Sequence, residues 1–195
     1  KEPWYKRHDA FNERVREGNV GMLMIGDSIT HWWDREGKKT WDHYYTKRNA
    51  VNLAISGDRT EHVLWRLENG NIDGISPKIA VLMIGTKNHM SSPPEVTAHD
   101  IRLIVRKLRT KLPETKALVL GIFPRGGDDN DGARQINMKV NRLIEDIGDG
   151  EWVHYADIGQ AFLNGRRMRG DLIPDGSHPN AKAVSYTHLT LPTKG

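Results

Sequence analysis

Cysteine is absent from this 195-residue chain. That absence excludes disulfides, thiolate metal sites and a cysteine nucleophile together. It does not fix a compartment, because a secreted domain of this size folds without disulfides. Long apolar runs are also missing: the longest are strand-sized, well short of the ~18–20 apolar residues of a membrane-spanning helix. No signal-like segment opens the chain at Lys1. Net charge is modest, at +4. The basic residues gather in Arg102, Arg106, Lys107, Arg109 and Lys111 and again in Arg166, Arg167 and Arg169. Positives spaced along a helix read as a solvated face, so no nucleic-acid partner is expected. What remains, 37% hydrophobic and 28% charged residues, is the composition of an ordinary globular protein. The length fits one domain, and neither an internal repeat nor a linker divides it.

Short apolar runs at Val20–Ile25, Ala50–Ile55, Ile79–Ile84, Ala117–Ile122 and Trp152–Tyr155 read as strands. Stretches of helical spacing separate them. Ile101, Ile104, Val105, Leu108 and Leu112 form one apolar stripe, preceded by Ser92-Pro93-Pro94-Glu95 and ended by Pro113. That order supplies an N-cap, a proline at the first helical position and a glutamate at the third. Ile136, Val140, Leu143, Ile144 and Ile147 form another stripe, closed by Gly148, and Val63, Leu64 and Leu67 a shorter one. Trp4 to Val15 reads as the first helix. Strands alternating with helices predict an α/β fold with a parallel sheet covered on both faces. Near-continuous apolar strands fit that double burial.

Ser28 stands where the first strand stops, in Gly26-Asp27-Ser28. The next strand ends at Ser56-Gly57-Asp58-Arg59, and the third at Gly85-Thr86-Lys87-Asn88-His89. In open α/β sheets this carboxyl edge is where ligands bind. Far along the chain, Asp175-Gly176-Ser177-His178-Pro179 places a carboxylate and an imidazole three residues apart. Serine, imidazole and carboxylate are the side chains of nucleophilic acyl transfer: attack, proton relay, and orientation of the relay. A glycine amide at Gly57 and the Asn88 side-chain amide are suitable donors to the oxyanion, since neither carries a charge that must be desolvated. Asp27 and Asp58 are expected to hold their loops by hydrogen bonds, and His89 to be a partly exposed loop residue. Trp32, Trp33 and Trp41 are candidates for a sugar-binding rim or for helix packing. His8, His31, His43, His62, His99 and His154 show no metal-ligand spacing, so no metal is expected.

These four blocks, in this order and spacing, resemble the SGNH (GDSL) hydrolases, whose blocks are headed by Ser, Gly, Asn and His. The resemblance runs from about Val20 to Pro179. It is nearest the branch typified by the platelet-activating-factor acetylhydrolase catalytic subunits, which Val81-Leu82-Met83-Ile84-Gly85-Thr86, Gly121-Ile122-Phe123-Pro124-Arg125-Gly126 and Asp157-Ile158-Gly159 also resemble. It implies a flavodoxin-like three-layer α/β/α sandwich with a five-stranded parallel sheet. It also implies ester hydrolysis without metal or cofactor. Carried over by position, Ser28 is the nucleophile, His178 the base and Asp175 its orienting acid. The oxyanion donors are the backbone amides of Ser28 and Gly57 and the side chain of Asn88. Lys87 departs from that branch, which more often has asparagine there. The expected substrate is a short acyl ester, acetyl foremost, on carbohydrate. The alternatives are a phospholipid-type acetyl ester or lysophospholipid, and a non-catalytic binding module on the same fold.

From Val184 the chain reads differently. Val184-Ser185-Tyr186-Thr187-His188-Leu189-Thr190-Leu191-Pro192-Thr193 lacks helical periodicity and resembles a translated sequencing adapter. The expectation is therefore a hydrolase domain over residues 1–183 and a foreign tail over 184–195, short, irregular or loosely packed, as read-through of a metagenomic gene fragment would leave. His188 is excluded from the candidate site on that ground.

Overall fold

The computed structural model describes residues 2–190. Its five parallel strands are β1 (Met22–Gly26), β2 (Ala50–Asn52), β3 (Ile79–Met83), β4 (Lys116–Leu120) and β5 (Val153–Ala156), in the spatial order β2-β1-β3-β4-β5. The chain starts in the middle, steps outward to β2, then crosses β1 and proceeds to β5. The direction of winding therefore reverses between β1 and β3, and a crevice opens beyond their carboxyl ends at such a switch point. Those two strands run in register from Met22 opposite Ile79 to Gly26 opposite Met83.

Alternation along the strands builds two cores. Leu23 and Ile25 face a core completed by α1 (Glu2–Arg16), α4 (Thr60–Glu68), α5 (Pro94–Lys111) and α6 (Gly132–Ile144). Met22 and Met24 face the other, closed by α2 (Ser28–His31), the helical turns at Trp32–Asp34 and Trp41–Tyr45, and α7 (Ala181–Thr190). A short turn, α3 (Lys38–Thr40), contacts α7, and a small hairpin of β6 (Leu163–Asn164) with β7 (Arg167–Met168) lies outside the main sheet. The sandwich is thus asymmetric, with long helices on one face and mostly short turns on the other.

Several expected boundaries move, each for a local reason. β2 ends at Asn52 rather than Ile55 because it is an edge strand. Leu53 and Ile55 N–H still reach the Met24 and Gly26 carbonyls, but the outward-facing Ala54 N–H is taken by the Asn52 side chain at 3.1 Å. The cap of α5 is Pro93, not Ser92, with Pro94 opening the helix and Glu95 paired to Lys139 at 2.6 Å. Helix α6 stops at Ile144, before Gly148.

The expected irregular tail is corrected over its first part. Asn180 caps α7 by accepting the Ala183 N–H at 3.0 Å, and the helix continues through Thr190. Ala183 and Val184 are buried against the second core, so the start of the tail is anchored there and the backbone goes on in helix without an apolar stripe to direct it. Leu191, Pro192 and Thr193 lie outside the described residues.

Candidate active site

The site is built from the ends of β1, β2 and β3 and one late loop. β1 delivers Ser28 to the first position of α2. Asp27 caps that helix by accepting the Ile29 N–H at 3.0 Å, and His31 N–H closes on the Asp27 carbonyl at 2.9 Å. The turn is tight enough to need glycine before it: a Cβ on Gly26 would lie 2.5 Å from the Met83 carbonyl oxygen. Burial pushes the Asp27 carboxyl up to about 7, against the opposing Ile29 hydrogen bond. Asp58 pushes it further up, while Lys87 and Arg125 favour the charged form. The lysine that departs from the resembled branch thus acts as a counter-charge beside the serine turn.

Ser28 is only 6% exposed, and its Oγ–H donates to His178 Nε2 at 2.9 Å. The opposite ring nitrogen, Nδ1–H, donates to Asp175 Oδ2 at 2.6 Å. The other carboxylate oxygen, Oδ1, accepts the Ser177 and His178 backbone N–H groups at 2.9 and 2.7 Å. Burial alone would raise the Asp175 pKa. The hydrogen bonds from the His178 ring and from the His178 and Ser177 amides outweigh it, holding the carboxyl down at about 2. A carboxylate fixed in this way sets both the tautomer and the direction of the imidazole. The late loop is itself tied down: Gly126 N–H donates to the Gly176 carbonyl at 2.8 Å, and Leu172 and Ile173 bury their side chains.

The β2 loop turns at Gly57, whose φ of +88° lies in the left-handed region that favours glycine. Asp58, fully buried, locks this turn. Its Oδ2 meets Arg66 Nε and Nη2 at 3.0 and 2.8 Å, and its Oδ1 accepts the Trp4 indole N–H at 2.7 Å. Arg66 Nη1 also donates to the Leu53 carbonyl and to Asn71 Oδ1, at 2.7 and 2.8 Å. On the far side of the turn, Asn88 is fully buried and exchanges two hydrogen bonds with Thr60. Asn88 Oδ1 accepts the Thr60 N–H at 3.1 Å, and Asn88 Nδ2 donates to Thr60 Oγ at 2.8 Å, leaving its second N–H for another acceptor. Thr60 Oγ–H passes on to Asp100 Oδ2 at 2.8 Å.

His31 joins the first two loops. Its Nδ1 accepts the Ser56 N–H at 3.1 Å and the Ser56 hydroxyl at 2.9 Å. Burial, and then Arg7 and Arg35, push the imidazole down to about 4 from its usual 6.5, which keeps it neutral and able to accept. The structure therefore brings Ser28, His178 and Asp175 into one hydrogen-bonded chain, and ties the loops of Gly57 and Asn88 to each other and to α2. Sequence reasoning missed His31, Thr60, Arg66 and Asp100. For Arg66 a signal existed: it shares the buried stripe of Val63 and Leu67, and an arginine inside an apolar helical face needs a buried anion.

The tryptophans part company. Trp33 is core, at 2% exposure, and Trp41 packs on Tyr45 with ring centres 5.1 Å apart. Only Trp32 faces the site, its ring centre 6.3 Å from that of His178. His89 points its Nδ1–H back to the Thr86 carbonyl at 2.6 Å, as a loop residue would.

Residues 24–184, from β1 through the start of α7, match the model of the GDSL-like lipase/acylhydrolase family. The chain belongs to that family. The platelet-activating factor acetylhydrolase IB subunit alpha2 of Homo sapiens is 37% identical over 142 residues, or 73% of this chain and 60% of that one. The chain thus spans about 60% of the length of these alpha2 relatives. Among solved structures, a GDSL-like lipase from Bacteroides thetaiotaomicron superposes with a TM-score of 0.74 at 17% identity, covering 95% of each chain. Axe2, an acetylxylan esterase from Geobacillus stearothermophilus, gives 0.67 at 16% identity, covering 87% of this chain and 91% of that one. At such identities the likeness is one of fold, and it is the flavodoxin-like fold expected. No described helix is long and apolar enough to cross a membrane.

Proposed function

We propose that this protein is a serine esterase that removes short acyl groups, acetyl foremost, from carbohydrate esters. The observation that carries the reading is the hydrogen-bonded run from Ser28 through His178 to Asp175, set at the switch point of the sheet. In this mechanism Ser28 Oγ attacks the ester carbonyl as His178 Nε2 takes its proton. Asp175 stabilises the imidazolium that forms. The backbone N–H groups of Ser28 and Gly57 and the second N–H of Asn88 Nδ2 meet the tetrahedral oxyanion. Collapse expels the alkoxide, which receives the proton from His178 and leaves as alcohol. Water, deprotonated by the same imidazole, then cleaves the acyl-serine and restores both groups. No step needs a metal or cofactor.

The preference for acetyl is supported by relatives and fold neighbours of different kinds, one named for acetylhydrolysis of platelet-activating factor and one for acetylxylan. The first of these also favours a second substrate reading, a phospholipid-type acetyl ester. A panel of p-nitrophenyl esters of rising chain length, run beside acetylated xylan and an acetylated ether lipid, tests the proposal. Turnover of the acetyl ester that vanishes in Ser28→Ala supports it. A protein inert to every ester is a binding module instead.

A further inference from the structure

A second feature opens at the Gly57 turn, and neither Ser28, His178 nor Asn88 lines it. It is a cleft of about 510 Å³ between the start of α1 and the first turns of α4. Trp4, Tyr5 and Trp65 line it together with the exposed Gly57 and the polar Glu61 and His62. Trp65 and Tyr5 are 43% and 50% exposed. Exposed aromatic rings gathered in one place mark binding surfaces more often than packing. The rings also sit close: Trp4 to Trp65 is 5.6 Å between centres and Tyr5 to Trp65 is 6.1 Å. Trp4 is clamped from behind, stacked on His8 and hydrogen-bonded through its indole N–H to Asp58. The cleft is therefore preorganised, and a ligand would not have to order its base. Since Asp58 also locks the Gly57 turn, cleft and turn share one rigid support.

We infer that this cleft binds a sugar ring of the substrate's alcohol part, one beyond the ring that carries the ester. The occupant follows from size and chemistry. An acetyl group is far too small for a cleft of this volume, so the larger part of the ester is what needs it. A pyranose has apolar C–H faces that fit aromatic rings and a belt of hydroxyls that needs polar partners. Two polar lining residues supply them. Glu61 offers a carboxylate, held by Arg59 Nε at 2.6 Å. His62 offers a donor, because its Nδ1 accepts the Arg59 N–H at 3.0 Å and its proton is on Nε2. An alkyl chain would desolvate Glu61 and the His62 Nε2–H without offering either a new hydrogen-bond partner, which costs binding. The substrate assignment rests on the esterase reading above; binding to the cleft can be tested without it.

The test compares the intact protein with Tyr5→Ala, Trp65→Ala and the double variant. Both side chains are half exposed, so their removal leaves the cores intact. Titration calorimetry with xylotetraose, which carries no ester, reads binding alone. The expected result is saturable binding that weakens roughly three- to tenfold per ring removed. In parallel, the ratio of kcat/KM on acetylated xylooligosaccharide to that on p-nitrophenyl acetate should fall by a similar factor, through KM. Absence of xylotetraose binding by the intact protein overturns the inference, as does binding that the double variant retains in full. An unaltered ratio of the two esters in the double variant overturns it as well, with the esterase reading left standing. Failure to hydrolyse either ester would instead defeat the esterase reading, and the calorimetric result would still decide the cleft.

Discussion

Replacing Arg66 by methionine should destabilise this protein more than almost any other single change. The guanidinium is fully buried and satisfies the Asp58 carboxylate, the Leu53 carbonyl and Asn71 Oδ1 together. Methionine fills much of the same volume but supplies no donor. Asp58 would then be a buried anion held chiefly by the Trp4 indole. Breaking a buried pair in this way costs about 3–5 kcal/mol. For a domain of this size that is a fall in Tm of roughly 6–20 °C. Asp58→Leu alone should cost a comparable amount by stranding the cation. Arg66→Met combined with Asp58→Leu should recover much of the loss, because no charge is left unpaired. Urea unfolding of the four proteins of this cycle, with a constant m-value, measures the coupling directly. Losses that simply add in the double variant, or an Arg66→Met protein within about 1 kcal/mol of the parent, would refute the claim that this pair anchors the Gly57 turn.

Two more outcomes follow from the site. Asn88→Ala should lower kcat on p-nitrophenyl acetate by about 10²–10³ with little change in KM, as loss of a donor aimed at the transition state requires; a loss confined to KM would contradict that role. His31 gives a pH signature. Its folded pKa, about 4, lies below its ordinary 6.5, so the unfolded chain takes up the proton first and stability must fall as pH drops from about 6.5 to about 4. The parent should lose on the order of 2 kcal/mol more than His31→Gln across that window, after allowance for solvent screening. Parallel pH–stability curves for the two would contradict it.

The layered fold was legible because each strand is a short apolar run and each long helix carries a stripe such as Ile101, Ile104, Val105 and Leu108. These are local patterns, and burial on both sides of a parallel sheet demands them. The strand ends carrying Ser28, Gly57 and Asn88 could be read for the same reason, since turn residues punctuate them. The links between those loops could not. That His31 Nδ1 takes the Ser56 N–H, or that Arg66 reaches back to Asp58 and Leu53, depends on side-chain directions that only the assembled sheet fixes. The second face was also hidden: Trp33 and Tyr45 lie in short turns without enough periods to show a stripe. The aromatic cleft joins Trp4 and Tyr5 to Trp65 across α1 and α4, too far apart in sequence to read as one site. After Val184 the chain has no apolar stripe, yet its backbone continues as helix, because the Asn180 cap and the buried Ala183 and Val184 start α7.

The central claim is that Ser28 carries the acyl group. Its most direct test is rapid acid quenching of the protein during turnover of p-nitrophenyl acetate, followed by peptide mass spectrometry. The account predicts an acetyl group on the peptide containing Ser28, accumulating further in Asp175→Asn or His178→Gln if deacylation slows more than acylation, and absent from Ser28→Ala. Acetyl ester hydrolysis at full rate by Ser28→Ala, or acetyl trapped on a different residue as a competent intermediate, would contradict it.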